Sequence, residues 1–155
     1  MSEQQLSVPP FEEIDIRDIL PQRPPFLFVD HILDYNEENA TVETSYTIPK
    51  DSLFSDGNGL FQTPGIMENM AQCSAARIGY RAKYILHVPV EIGYIGTVKN
   101  FTLVRSPRVG ETLVTRLHLT SEIFGISLCE AEVWIGDELI ARSILKTAMP
   151  TEKQQ

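Results

Sequence analysis

Hydrophobic positions change their period twice along the chain. Ala40 to Ile48 alternate apolar and polar through Thr41-Val42-Glu43-Thr44-Ser45-Tyr46, the period of a half-buried strand. Leu27 to Tyr35, rich in β-branched and aromatic residues, precede them across Asn36-Glu37-Glu38-Asn39, which predicts an antiparallel hairpin. From Thr63 the alternation stops. Ile66, Met67, Met70, Ala71, Ser74, Ala75 and Ile78 leave little polar surface in the first three turns of a helix reaching Tyr80, so other structure must wrap it. Thr63 is expected as its N-cap with Pro64 in the first helical position, and no proline follows until Pro89. Strand character then returns in Val90 to Leu103, Glu111 to Glu122, Ser127 to Trp134 and Glu138 to Ala148. The last two are joined by Ile135-Gly136-Asp137, a tight hairpin signal, while Gly93 and Gly96 mark a bulge or a close approach in the first.

Two strands, one long buried helix and four further strands, without repeat or linker, give an α+β class. What this order requires is an antiparallel sheet of about six strands wrapped around one long central helix. Residues 1–13 read as a flexible N-terminal tail, 14–149 as the single domain and 150–155 as a polar C-terminal tail. Asp15 caps a short helix through Ile16, Ile19 and Leu20 that Pro21 ends. Pro21-Gln22-Arg23-Pro24-Pro25-Phe26 cannot be regular structure, and a loop this stiff positions Gln22 and Arg23 at little entropic cost. Asp56-Gly57-Asn58-Gly59 is the turn signal of the polar loop that delivers the chain to the helix.

Charge and cysteine content narrow the function classes. A chain of 155 residues with net charge −8 and a pI near 4.8, whose basic residues form no run, lacks the patch that nucleic acid needs. Arg77, Arg81 and Lys83, and again Lys99, Arg105 and Arg108, read mostly as solvated faces, although a mouth for an acidic carrier has the same composition. Cys73 and Cys129 are too few and too scattered for a disulfide scaffold or a zinc site and read as reduced small core residues. No metal or cofactor is expected. The polar, acidic N-terminus and the lack of any span-length apolar segment point to the cytoplasm and away from a membrane.

One carboxylate, Glu68, interrupts the apolar helix. A capping box would put it at Ile66, three residues after the cap, so Glu68 is either a complement to the helix dipole or a working carboxylate. Gln72, Ala75, Ala76 and Gly79 follow on its face, which is nearly without bulk and could take a thin ligand.

Leu20-Pro21-Gln22-Arg23-Pro24-Pro25-Phe26-Leu27-Phe28-Val29-Asp30 resembles the opening motif, Leu-Pro-His-Arg-x-Pro-Phe-Leu-x-Val-Asp, of the hotdog-fold (3R)-hydroxyacyl-[acyl-carrier-protein] dehydratases. Glu68-Asn69-Met70-Ala71-Gln72 is similar to that family's Glu-x-Met-Ala-Gln helix motif. Ile95-Gly96-Thr97-Val98-Lys99-Asn100-Phe101 resembles its glycine-bearing strand, and Arg105-Ser106-Pro107-Arg108-Val109-Gly110-Glu111 its following turn. The resemblance implies a hotdog fold, normally dimeric, with active sites across the interface. It implies a loop histidine as base at the substrate α-carbon, a carboxyl on the partner's helix that protonates the leaving β-hydroxyl, and helix N–H groups that polarise the thioester. By this resemblance Glu68 and Gln22 are the catalytic positions, and Gly65, Ile66, Gln72, Phe26 and Gly96 the substrate-binding ones.

Gln22 stands where the family has histidine, and an amide cannot carry a proton at neutral pH. His31, His87 and His118 read as ordinary surface or satisfied histidines, so a single subunit lacks the complete pair. Three readings therefore stand. The first is a dehydratase-like lyase on acyl carrier protein or coenzyme A thioesters, in fatty acid or polyene-type synthesis. The second is a non-catalytic subunit, in a homodimer or a heterodimer with another hotdog subunit. The third is a thioesterase that uses Glu68 with Gln22.

Overall fold

The computed structural model describes residues 8–91 and 94–148. Six strands form one antiparallel sheet: β1 (His31–Asn36), β2 (Thr41–Thr47), β3 (Tyr94–Leu103), β4 (Thr112–Ile123), β5 (Ile126–Ile135) and β6 (Glu138–Ala148). Their spatial order is β1-β2-β4-β5-β6-β3, and the helix α1 (Thr63–Tyr80) packs against β2, β4 and β5. This is the expected wrapped-helix arrangement. The alternation read in β2 is the burial alternation observed, with Val42, Thr44 and Tyr46 facing the core. Gly136 turns the β5–β6 hairpin with φ 57°, and Phe124-Gly125, at φ 53° and 76°, turns β4 into β5. The register of β3 against β6 slips between Ile95 and Thr97, which puts the irregularity at Gly96. The strand expected from Val90 is corrected to begin at Tyr94, since Val90 and Glu91 are not strand, and Gly93 lies outside the described residues.

Three local expectations are corrected. The N-cap is Gln62, extended at φ −79° and ψ 156° and with no side-chain cap bond, so Thr63 and Pro64 are the first two helical residues. The first strand is regular only from His31: the Asp30 amide still donates to the Ser45 carbonyl of β2 at 2.7 Å, but the Phe28 amide and carbonyl find side-chain partners on α1. The short helix is a single tight turn over Ile16–Asp18, with the Asp15 carboxylate accepting from the Arg17 amide at 3.0 Å. Phe11, within the stretch read as tail, packs its ring 5.8 Å from that of Tyr80.

The end of α1 is closed by backbone contact. A Cβ on Gly79 would collide with the carbonyl oxygen of Ile19, so the 16–20 turn lies directly on the last turns of the helix. Beyond Tyr80 the helix widens into a π-type turn over Arg81–Leu86 and stops at His87, which is left-handed at φ 54°.

The start of α1 is braced from the β3–β4 turn. The Phe61 amide donates to the Pro107 carbonyl at 2.7 Å, and the Val109 amide to Gly59 at 2.9 Å. Arg105 holds that turn in shape through a two-pronged bond to Glu111, 2.9 Å on each prong, and a third bond to Glu138. The Asp56 carboxylate accepts from the Asn58 and Leu60 amides and folds the loop that leads in.

Candidate active site

Glu68 sits in the second turn of α1, half-buried, and accepts no hydrogen bond from any side chain or loop amide among the described residues. The helix is covered unevenly. Gly65, Ile66, Asn69, Met70, Gln72, Cys73, Ala76 and Tyr80 are buried, whereas Met67, Glu68, Ala71, Ala75 and Ile78 form a half-exposed stripe along one side. At about 100° per residue these five positions span roughly a quarter of the circumference. The carboxylate therefore lies along a mostly apolar, small-residue face that the chain's own sheet leaves open.

Gln72, expected to touch substrate, is engaged otherwise. Its Nε2 donates to the Phe26 carbonyl and its Oε1 accepts from the Phe28 amide, each at 2.7 Å, and the residue is 2% exposed. It is corrected to a clamp on segment 26–28, whose off-ladder backbone needs partners. Asn69, which the sequence reading passed over, completes the clamp: Nδ2 donates to the Phe28 carbonyl at 2.7 Å and Oδ1 accepts from the Thr115 hydroxyl at 2.5 Å. Asn69→Ala is expected to lower stability by about 2 kcal/mol, since two buried groups lose their partner. Chemical denaturation of the purified chain checks it.

Gly65 and Ile66 were expected to offer helix-start donors. Both amides turn to the Gln62 carbonyl, at 2.9 and 3.4 Å, so neither is free for a ligand. Gly65 is glycine for a packing reason, because a Cβ there would collide with the Phe61 ring. Phe61, Phe28, Phe54 and Tyr46 form an aromatic cluster under the helix start, with ring centres 5.3 to 6.3 Å apart.

No hydrogen bond joins Gln22 to Glu68 within the chain among the described residues. Ile19 lies against Gly79 and Phe26 is bonded to Gln72, so Gln22, between them, runs beside the last two turns of α1. At 1.5 Å per residue that is about 6 to 17 Å further along the axis than Glu68. The Gln22 Oε1 is buried with no protein partner. The loop is held instead by Arg23, whose guanidinium donates to the carbonyls of Arg17, Leu20 and Gln22. Phe26, 55% exposed, is carried by Gln72 to within one helical turn of Glu68. Gly96 is on β3, beyond the strands that α1 contacts, on the edge of the sheet.

Burial pushes the Cys73 thiol up to about 12, and its sulfur lies 3.7 Å from the Thr115 carbonyl, so it is an inert core group. Cys129 is buried as well, and its thiol is also raised by burial. Arg77, read with the solvated cations, is corrected: it is 6% exposed. Among the described residues no group of three His, Cys, Asp or Glu could hold a metal, and no helix is long and apolar enough to cross a membrane.

The sequence model of the family described as "ApeP-like: ApeP dehydratase" matches residues 14–155. A 3-hydroxyacyl-[acyl-carrier-protein] dehydratase FabZ from Haemophilus ducreyi is 27% identical over 147 residues, spanning 88% of this chain and 90% of its own. The FabZ of Symbiobacterium thermophilum is 25% identical over 135 residues, 85% and 92% of the two chains. Among solved structures, the dehydratase heterocomplex ApeI:P from Xenorhabdus doucetiae matches with TM-score 0.82 and 16% identity over 91% of this chain and 94% of that one. A hypothetical thioesterase from Streptococcus pneumoniae, solved with coenzyme A, matches with TM-score 0.60 and 6% identity over 77% and 84%. These structural likenesses bear on the fold, which is the hotdog fold.

Proposed function

Since the chain belongs to the ApeP-like dehydratase family, we infer that it works on 3-hydroxyacyl thioesters, with Glu68 as the proton-donating carboxyl of a site that a second hotdog subunit completes. In the dehydrating direction a base takes the α-proton, Glu68 gives a proton to the departing β-hydroxyl, and water leaves with formation of the C2–C3 double bond. The reverse reaction adds water to a 2-enoyl thioester.

One observation carries this reading: Glu68 is an unpartnered carboxylate on a face of α1 that its own chain leaves open. The open stripe of Met67, Ala71, Ala75 and Ile78 is apolar, and the two alanines at its centre leave room for a second helix to approach. The outer edge of β3 has no partner strand among the described residues, which leaves a row of backbone groups for an added strand. The ApeI:P fold neighbour is itself a heterocomplex of dehydratases, and this favours a subunit of different sequence as the source of the missing base. Gln22 can serve only across such an interface, as an orienting amide.

The substrate is a thioester on acyl carrier protein, as the names of the FabZ relatives state for theirs, or on coenzyme A. Phe26 forms part of the apolar wall beside Glu68. The reaction belongs to fatty acid or polyene-type synthesis in the cytoplasm. Hydrolysis of the thioester has less support, because Gln22 does not stand beside Glu68 within the chain.

The test is hydration of a 2-enoyl acyl carrier protein thioester by the purified chain, alone and mixed with hotdog dehydratases of the same organism, with free thiol measured in parallel. Enoyl loss in the mixture without thiol release is the expected result. Thiol release by the chain alone would sink the dehydratase reading. Ala75→Arg, about 10 Å along the helix from Glu68, should leave the isolated chain within about 0.5 kcal/mol of wild type yet break the complex. Light scattering of the mixture reads this as loss of the heavier species.

A further inference from the structure

The Arg77 side chain forms no ion pair with any described residue. The residue is 94% buried, its Nε has no partner, and no hydrogen bond joins its side chain to any described residue. The carboxylate whose field it shares, Glu37, is already engaged: Oε1 accepts from Arg81 at 2.8 Å and Oε2 from the Tyr35 hydroxyl. A guanidinium cannot shed its proton in a protein, so burial leaves a charge with no hydrogen-bonded partner among the described residues, which an incoming anion would supply.

The space for that anion is present. Arg77 and the buried Ser127 line a recess of about 430 Å³ between the end of α1, the 86–91 segment and the β4–β5 hairpin. Ile78, Ala82, Leu86, Val88 and Pro89 supply its apolar wall, and Arg81, already paired with Glu37, lines it beside Arg77. Glu91 and Glu122, both exposed, stand at its rim and disfavour a polyanion such as a phosphate. We propose that this recess binds a small amphipathic monocarboxylate, with the carboxylate on the Arg77 guanidinium and the hydrocarbon body against Leu86 and Val88. Arg77 itself lies on the opposite side of the helix from Glu68, nine residues away at about 100° each, and the recess meets the open stripe only at Ile78.

The probe is sodium octanoate, compared with 1-octanol by isothermal titration calorimetry of the full chain at constant ionic strength. Octanoate is expected to bind about tenfold or more tightly than octanol, because only the carboxylate pairs with the guanidinium. Arg77→Met should abolish that preference while keeping the fold, since an apolar side chain of similar volume often replaces an unpaired buried charge without loss. Val88→Trp, at a position 48% exposed on the wall, should fill the recess and weaken octanoate by about tenfold. Glu68→Gln should leave octanoate affinity within about twofold. Equal affinity for octanoate and octanol, no octanoate binding at millimolar concentration, or a preference that survives Arg77→Met would overturn the proposal. If Arg77→Met does not fold, unchanged octanoate binding in Val88→Trp overturns it equally.

Discussion

Glu68→Gln is expected to lower the enoyl hydration rate of the assembled protein by about 10²–10⁴-fold, the range for removal of a positioned acid or base. Glutamine keeps the size of the side chain and its ability to donate or accept a hydrogen bond, but it cannot deliver a proton to the leaving hydroxyl. The fold should not notice the change, because Glu68 is half-exposed and has no side-chain partner among the described residues. Circular dichroism and the denaturation midpoint should therefore match wild type. The competing reading, a carboxylate that only complements the helix dipole, makes the opposite forecast: a stability loss of about 0.3–1 kcal/mol and an unchanged rate. Initial rates on one enoyl thioester separate the two, and a mutant within about threefold of wild type would return Glu68 to a structural role.

Gly79→Ala is expected to destabilise by about 3 kcal/mol or more, against the helix-propensity trend. In an ordinary helix interior this substitution gains about 1 kcal/mol, because alanine loses less backbone freedom on folding. Here the added methyl group meets the Ile19 carbonyl oxygen, which is backbone and cannot rotate away. The 16–20 turn would have to lift, disturbing the burial of Ile16, Ile19 and Leu20, which are 6%, 0% and 2% exposed. For a domain of this size the midpoint of thermal unfolding should fall by about 6–12 °C. A rise in the midpoint would show that the turn does not rest on the helix.

Periodicity carried most of the architecture. The all-round apolar character of Ile66 to Ile78 required a wrapped helix, and the alternation through Val42, Thr44 and Tyr46 required a sheet with one face inward; both are found. Glu68 stands out in the sequence because a carboxylate in such a helix needs a reason. The polar residues beside it were harder. Gln72 has the composition of a ligand contact, yet it serves backbone groups of Phe26 and Phe28 that a regular strand would have paired. A sequence does not show which main-chain groups will fall off the ladder, so Asn69 and Gln72 carried no signal of their clamp. Arg77 is a similar case. Cations are usually solvated, and only the position of the β4–β5 hairpin tip and the 86–91 segment closes over this one. Gln22 looked like half of a site because the motif around it is continuous, whereas the lie of that loop along the later turns of α1 separates it from the Glu68 of its own chain.

The claim that the site is shared between subunits is tested most directly by sedimentation of the protein with its partner, assaying enoyl hydration across the gradient. Activity is expected only in species of at least twice the 17.5 kDa mass of the chain, and none in the single-chain fraction. Enoyl hydration that sediments with the lone 17.5 kDa chain would contradict a site completed by a second subunit.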